Sequence, residues 1–525
     1  MRDPRTAQRA VLTCFCLHGV VESAKFLPAT RRMIHPLLYE INTRCWLRRL
    51  SDEQGRAVTL ADVPEEEIGR WQNLGFTHVW AMGVWTTGPR ARAQALENPA
   101  FQKHLAEILP GWTKRDVPGS PYAIGAYEIP ALLGGSEGLK IFRRQLHARG
   151  MKLLLDFVPN HLGLDHPWVS EKPERFVQSD RELPGTFLQQ TREGVRRLAH
   201  GRDPNFAPWS DTVQLDYRRT ETRAAMIEVL QSVAAQSDGV QCDMAMLLLN
   251  DIFRNTWAHF PEPEPMPAQE FWKDAIGVVR KSRPDFIFLA EVYWGLEARL
   301  QELGFDYTYG KTVYDRLVDR HYAALHAELL AARPDWLSRC VHFLENHDER
   351  RAASVFSPEE HRAAALLMLG LPGARMIYEG QLRGAKIRTS VHLSRWPNEP
   401  VDAQISAMYK QMLLALKGSA VGHGDFRLLA TESSSENLGA ENFVVVQWQN
   451  APDEFELVVV NLCERVGECR ARPVIKGLGL GNWQMRDLLG SEIGHHHGGD
   501  LEGQGIQFAL PAHGGQLLHF VKSVR

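Results

Sequence analysis

Four apolar runs in this chain carry an acid at or near their C-terminal end. They are Met151–Val158 (MKLLLDFV) with Asp156, Ser237–Asp243 (SDGVQCD), Asp285–Glu291 (DFIFLAE) and Val341–Asp348 (VHFLENHD). The apolar residues behind such a carboxylate cannot pair its charge, so it meets either a partner or a substrate. One acid of this kind is commonly the N-cap of the next helix. Capping alone does not explain four, two of them followed by further polar or aromatic residues (Val292-Tyr293-Trp294 and Glu349-Arg350-Arg351). Grouped carboxylates suit cleavage of a glycosidic bond. One with a raised pKa protonates the leaving oxygen, while an ionised one attacks or stabilises the oxocarbenium-like carbon. Mutual repulsion is what splits the two roles. The same cluster could hold Mg²⁺ or Ca²⁺, which gives a competing, metal-dependent reading. His161 and His347, close to Asp156 and Asp348, fit hydroxyl recognition better, because hard cations prefer oxygen ligands.

Those acids need strands to carry them. Leu37–Ile41 is strand-like, Leu60–Gly75 reads as a helix with acids in its first half, and Thr77–Met82 as a second strand. Gly138–Gly150 is a glycine-closed helix feeding Met151–Val158, whose near-continuous apolarity predicts a strand buried on both faces. Strands alternating with helices imply a parallel sheet, and acids at successive strand ends place them on the catalytic face of an α/β barrel. From Asp156 to Asp243 is 87 residues, far beyond one βα unit of roughly 30. The excess, about 161–217, reads as an insertion over the barrel mouth. Ala403–Lys417 is helical, and period-2 stretches at Asn442–Trp448 and Glu454–Asn461 predict a separate β domain over 420–525. The barrel then spans 33–419. Trp209 and Trp294 are candidate sugar platforms, since flat ring faces stack on aromatics. The run GHHHGGD around His495–His497 is predicted to be a solvated hairpin turn rather than a metal site.

Bulk properties exclude several classes. The net charge of −3 (60 basic against 63 acidic residues) draws the chain neither to nucleic acid nor to anionic lipid. No apolar run reaches the 18 or so residues of a membrane helix. Seven scattered cysteines without a CxxC pair fit a reducing compartment, so the expected location is cytoplasmic. Cys14-x-Cys16 is a weak redox or metal signal. Residues 1–32 carry six basic residues around an interrupted apolar patch, Ala10–Val21. They read as a basic tail, or as an upstream extension of a chain starting at Met33.

Asp156-Phe-Val-Pro-Asn160-His161, Gly239-Val-Gln-Cys-Asp243, Ala290-Glu291-Val292 and Glu345-Asn346-His347-Asp348 occur in that order and resemble the four short motifs of the α-amylase superfamily, glycoside hydrolase family 13. Gly119–Ile129, Met376–Gln381 and Asp211–Tyr217 resemble further stretches of that family, over roughly residues 36–420. The resemblance implies a (β/α)₈ TIM barrel with an inserted domain B and a C-terminal β-sandwich. It also implies a retaining double displacement, in which Asp243 is the nucleophile, Glu291 the general acid/base and Asp348 the third acid. On the same basis Tyr122 stacks under the sugar, His161 and His347 bind its hydroxyls, and Asp156 orders the site. The substrate implied is an α-1,4-glucan or malto-oligosaccharide. Hydrolysis and glycosyl transfer share the covalent intermediate and stay open, as does oligomeric state.

Two positions depart from the family pattern. Gln241 stands two residues before the nucleophile, where the family has an Arg that pairs with it. Gln donates a hydrogen bond but no charge, so the expectation is a nucleophile of raised pKa and lower turnover. A catalytically weakened glucan-binding or scaffold protein is the alternative that follows. Leu247 replaces a His whose carbonyl helps hold a structural calcium in many relatives. Asn160 keeps that site open, but no metal or other cofactor is expected.

Overall fold

A computed structural model describes residues 35–433 and 439–523. Eight parallel strands close into a barrel: β1 (Leu37–Asn42), β2 (His78–Met82), β3 (Lys152–Phe157), β4 (Gly239–Cys242), β5 (Ile287–Ala290), β6 (Tyr307–Tyr309), β7 (Cys340–His342) and β8 (Ala374–Tyr378). Each strand pairs with its neighbours in sequence, and β8 closes on β1. The strands are short and almost wholly buried, which is why their sequences are apolar runs rather than alternations. Gly239 is required by close approach: a Cβ there would lie 2.8 Å from Ile287 Cβ on β5 and 3.2 Å from Leu154 Cγ on β3.

The helical prediction for Leu60–Gly75 starts too early. The helix is Glu65–Asn73, and Pro64, whose fixed φ suits a helix start, stands at its N-cap. A helix absent from the sequence reading, Thr43–Gln54, follows β1 directly, and the Asn42 side chain caps it by accepting the Cys45 N–H. Gly135–His147 and Ala403–Lys417 are helices, the second with the predicted bounds.

Between β3 and β4 the inserted segment forms its own small structure. His161–Gly163 pairs with Thr212–Gln214, and Thr186–Thr191 forms a hairpin with Gly194–Ala199. The C-terminal part is a six-stranded and a three-stranded antiparallel sheet enclosing a separate apolar core that includes Phe455, Trp483 and Phe520. His495–His497 does not form the predicted hairpin turn. These residues belong to strand Ile493–His497, paired with Asn482–Asp487 at the sheet edge, where outward side chains can be polar.

Among the described residues no helix is long and apolar enough to cross a membrane. Cys45, Cys242, Cys340, Cys463 and Cys469 are free thiols; Cys14, Cys16 and the basic tail lie outside the described residues.

Candidate active site

Asp243, Glu291 and Asp348 line one cleft of about 410 Å³ at the barrel mouth, together with Tyr122, His161 and Trp209. A larger cavity, about 900 Å³, lies on the outer wall near Trp71 and Glu379 and contains none of the three acids. Volume is therefore a poor guide to the site here; the convergence of carboxylates is the better one.

Asp243 leaves the end of β4, and its backbone N–H donates to the Phe157 carbonyl at 3.0 Å, which ties it to β3. Met244 then takes the left-handed conformation, φ 44°, unusual for a residue with a side chain. Its N–H donates to Glu291 Oε2 at 2.9 Å, and the Tyr293 hydroxyl donates to Oε1 at 2.8 Å. Glu291 is thus held by the residue after Asp243 on one side and by its own strand end on the other. Asp348 is more open, its side chain 46% exposed to the cleft.

The charges are strongly coupled. Burial first, then the charges of Glu291 and Asp348, pushes Asp243 well above the ordinary carboxylate range, with His347 pulling it down. Burial and Asp348 push Glu291 up to about 7 against the two donated hydrogen bonds. Asp348 lies below its usual value: burial opposes this, but His347 and, farther away, Arg388 outweigh it. Two facing acids, both pushed up, share a proton as a pair.

His347 is the hub of the polar network. Its Nδ1 lies 2.6 Å from Glu40 Oε1, and its Nε2 lies 2.8 Å from the Tyr122 hydroxyl and 3.1 Å from Asp348 Oδ2. The Tyr122 ring also stacks on the imidazole, with centroids 5.4 Å apart. His161 stands against Trp209, centroids 5.0 Å apart, and burial depresses its pKa to about 4, so it is a neutral hydrogen-bonding ring.

Four of the sequence-selected residues do not line the cleft. Asp156 lies beneath it, its carboxylate taken by the Trp80 indole N–H at 2.8 Å and the Gly83 N–H at 2.6 Å. It anchors the strand ends from below and does not touch the cleft. His347 acts from behind Tyr122 and Asp348. Trp294 is 41% exposed, with a left-handed backbone (φ 65°), outside the cleft lining, whereas Trp209 lines the cleft. Gln241 is 1% exposed, and neither its Oε1 nor its Nε2 has a hydrogen-bond partner among the described residues. The nearby Tyr309 hydroxyl closes no hydrogen bond of good geometry either. No guanidinium faces the nucleophile from this position.

Sequence reasoning missed Glu40 and Tyr293. Tyr293 had a signal, two residues beyond an acid at a strand end. Glu40 had only its oddity as the single acid in the buried strand LLYEIN.

The calcium allowed by the resemblance does not fit the residues present. Gln214 Nε2 donates to the Asn160 carbonyl (2.8 Å), Asn160 Oδ1 (3.0 Å) and the Leu215 carbonyl (3.1 Å). An amide nitrogen already stands among the oxygens a cation would need. Among the described residues no cluster of three or more His, Cys, Asp or Glu side chains is arranged to hold a metal ion.

An eight-stranded barrel with three acids converging in one cleft at its mouth suits a glycosidase-type site. The family model for the α-amylase catalytic domain matches residues 121–388, and the chain belongs to that family. It is 24% identical over 273 residues to α-amylase MalA of Haloarcula japonica, covering 50% of this chain and 36% of that protein. It is 31% identical over 204 residues to an α-1,4-glucan:maltose-1-phosphate maltosyltransferase of Rhodospirillum rubrum, covering 37% and 25% respectively. The chain thus spans well under half the length of these two relatives. A maltogenic α-amylase of Thermotoga neapolitana shares the fold, with a TM-score of 0.66 at 18% identity over 93% of this chain and 99% of that one. A Geobacillus thermoleovorans α-amylase complexed with acarbose gives 0.64 at 17% identity over 94% and 100%.

Proposed function

We propose that this chain cleaves α-1,4-linked glucans or malto-oligosaccharides by double displacement. The observation that carries the proposal is the convergence of Asp243, Glu291 and Asp348 in one cleft, with Glu291 held between Met244 and Tyr293. Glu291, pushed up to about 7, holds a proton near neutrality and gives it to the glycosidic oxygen as that C–O bond breaks. Ionised Asp243 attacks the anomeric carbon and forms the glycosyl ester. Glu291, now a carboxylate, takes a proton from water or from a sugar hydroxyl, whose oxygen attacks the same carbon and releases Asp243. Asp348 grips the sugar hydroxyls, and Tyr122 and Trp209 supply flat faces beside it.

The Gln214 amide fastens the inserted segment to the barrel through the Asn160 and Leu215 oxygens. Product sizing on a short malto-oligosaccharide tests the reading. Shorter products alone mean hydrolysis, products longer than the donor mean transfer, and no change in the sugar overturns it.

A second reading, a glucan-binding protein with weakened catalysis, draws on one observation. Asp243 is pushed far up while Gln241 offers it no charge. In the free site much of the shared proton then rests on the nucleophile, where it blocks attack.

A further inference from the structure

Asp243 lines one cleft with Glu291 and Asp348, and Gln241 stands where the family resemblance puts a cation. Asp156, Asp243, Glu291 and Asp348 all feel one nearby positive group in common, His347. Two carboxylates flank that imidazole. Nδ1 meets the carboxylate of Glu40 and Nε2 meets the carboxylate of Asp348. The imidazolium donates to both carboxylates, whereas a neutral ring with its N–H on Glu40 would turn the Nε2 lone pair toward Asp348 and be satisfied only by the Tyr122 hydroxyl, 2.8 Å away. Glu40 is fully buried, its Oε2 has no partner among the described residues, and His347 is its one ion-pair partner there.

We propose that Glu40 is a positioning residue that holds His347 as an oriented imidazolium, and that this cation takes over the electrostatic work of the missing arginine at the nucleophile. The proposal rests on the glycoside-cleaving reading of the site. Other groups facing the ring are the Tyr122 hydroxyl and, edge-on, the Trp80 indole (centroids 5.5 Å apart). Neither carries charge at neutral pH, since burial drives the Tyr122 phenol far above its usual range. Burial alone would strip the proton from His347; Asp348 and Glu40 together raise it well above the ordinary histidine value. Burial raises Glu40 too, and it stays above its ordinary value although His347 lowers it.

The test is ¹⁵N-histidine NMR of the full chain, with His347 assigned from the spectrum of His347→Gln. The same proteins are assayed on an aryl α-maltoside across pH. In the unmodified protein His347 is expected to carry both protons at pH 7. In Glu40→Gln its titration should fall by at least one pH unit, and kcat/KM should drop at least tenfold at pH 7 with an alkaline limb that follows the lowered titration. Glu40→Asp should recover part of both. A neutral His347 in the unmodified protein overturns the proposal, as does an unmoved titration in Glu40→Gln or a moved titration without a change in the pH profile. If Glu40→Gln does not fold, the unmodified spectrum and Glu40→Asp decide. Absence of turnover in the unmodified protein overturns the proposed function instead, and the imidazole spectrum still decides the role of Glu40.

Discussion

The backbone N–H of Met244, the residue immediately after Asp243, donates to Glu291 Oε2 at 2.9 Å. The acid/base is thus braced by the segment that carries the nucleophile, and a shift in either disturbs both. The left-handed Met244 makes this brace possible at a backbone cost of order 1–3 kcal/mol. The Tyr293 hydroxyl completes the grip on Oε1.

Tyr293→Phe removes one donor that favours ionised Glu291. The pKa of Glu291 should rise from about 7 by on the order of one pH unit, the scale of one charge-assisted hydrogen bond. The proton then leaves at higher pH, so the alkaline limb of kcat/KM moves up. A pH–rate profile with an unmoved limb would show that Tyr293 does not govern this proton.

Gln241→Arg restores a cation beside Asp243. The charge favours the ionised nucleophile, so the acid limb should move down, but with His347 already supplying a cation the gain in kcat should fall well short of the roughly 10²-fold that one such interaction is worth. Initial rates on soluble α-glucan measure it. A gain of that full size would show that His347 does not stand in for the charge missing at position 241.

Asp156→Asn exchanges a carboxylate that accepts from Trp80 and Gly83 for an amide whose NH₂ must face one of those donors. Unfolding free energy should fall by about 2 kcal/mol. Denaturant unfolding of the two proteins checks it, and equal midpoints and slopes would remove Asp156 as an anchor.

Chelation should leave the thermal midpoint unchanged, because the Gln214 amide serves the Asn160 and Leu215 oxygens. Gln214→Ala strands those acceptors and should lower stability by about 1–3 kcal/mol. A midpoint that drops with EDTA and recovers with Ca²⁺ would contradict this reading.

The barrel and its three acids were legible because a strand buried on both faces must be a short apolar run, and a carboxylate ending such a run is conspicuous. The helix Ala403–Lys417 was legible for a related reason: Asp402 caps it, accepting from the Gln404 and Ile405 N–H groups. What escaped depends on contacts far apart in the chain. Glu40 and His347 are 307 residues apart, and no local pattern pairs them. Asp156 looked like its three counterparts, yet its position beneath the Trp80 indole turns it from the cleft into an anchor. Trp294 and Trp209 were equal candidates by residue type; the backbone turn at Trp294 and the fold of the inserted segment separate them. His495–His497 lay between glycines, which suggests a turn, whereas pairing with Asn482–Asp487 makes it a strand.

The most direct measurement of the central claim is mass spectrometry after incubation with a fluorinated α-glucosyl fluoride, which slows release of the ester. One added glycosyl group is expected, located by peptide mapping on Asp243 and abolished in Asp243→Asn. An unmodified chain, or a label on Glu291 or Asp348, would contradict it.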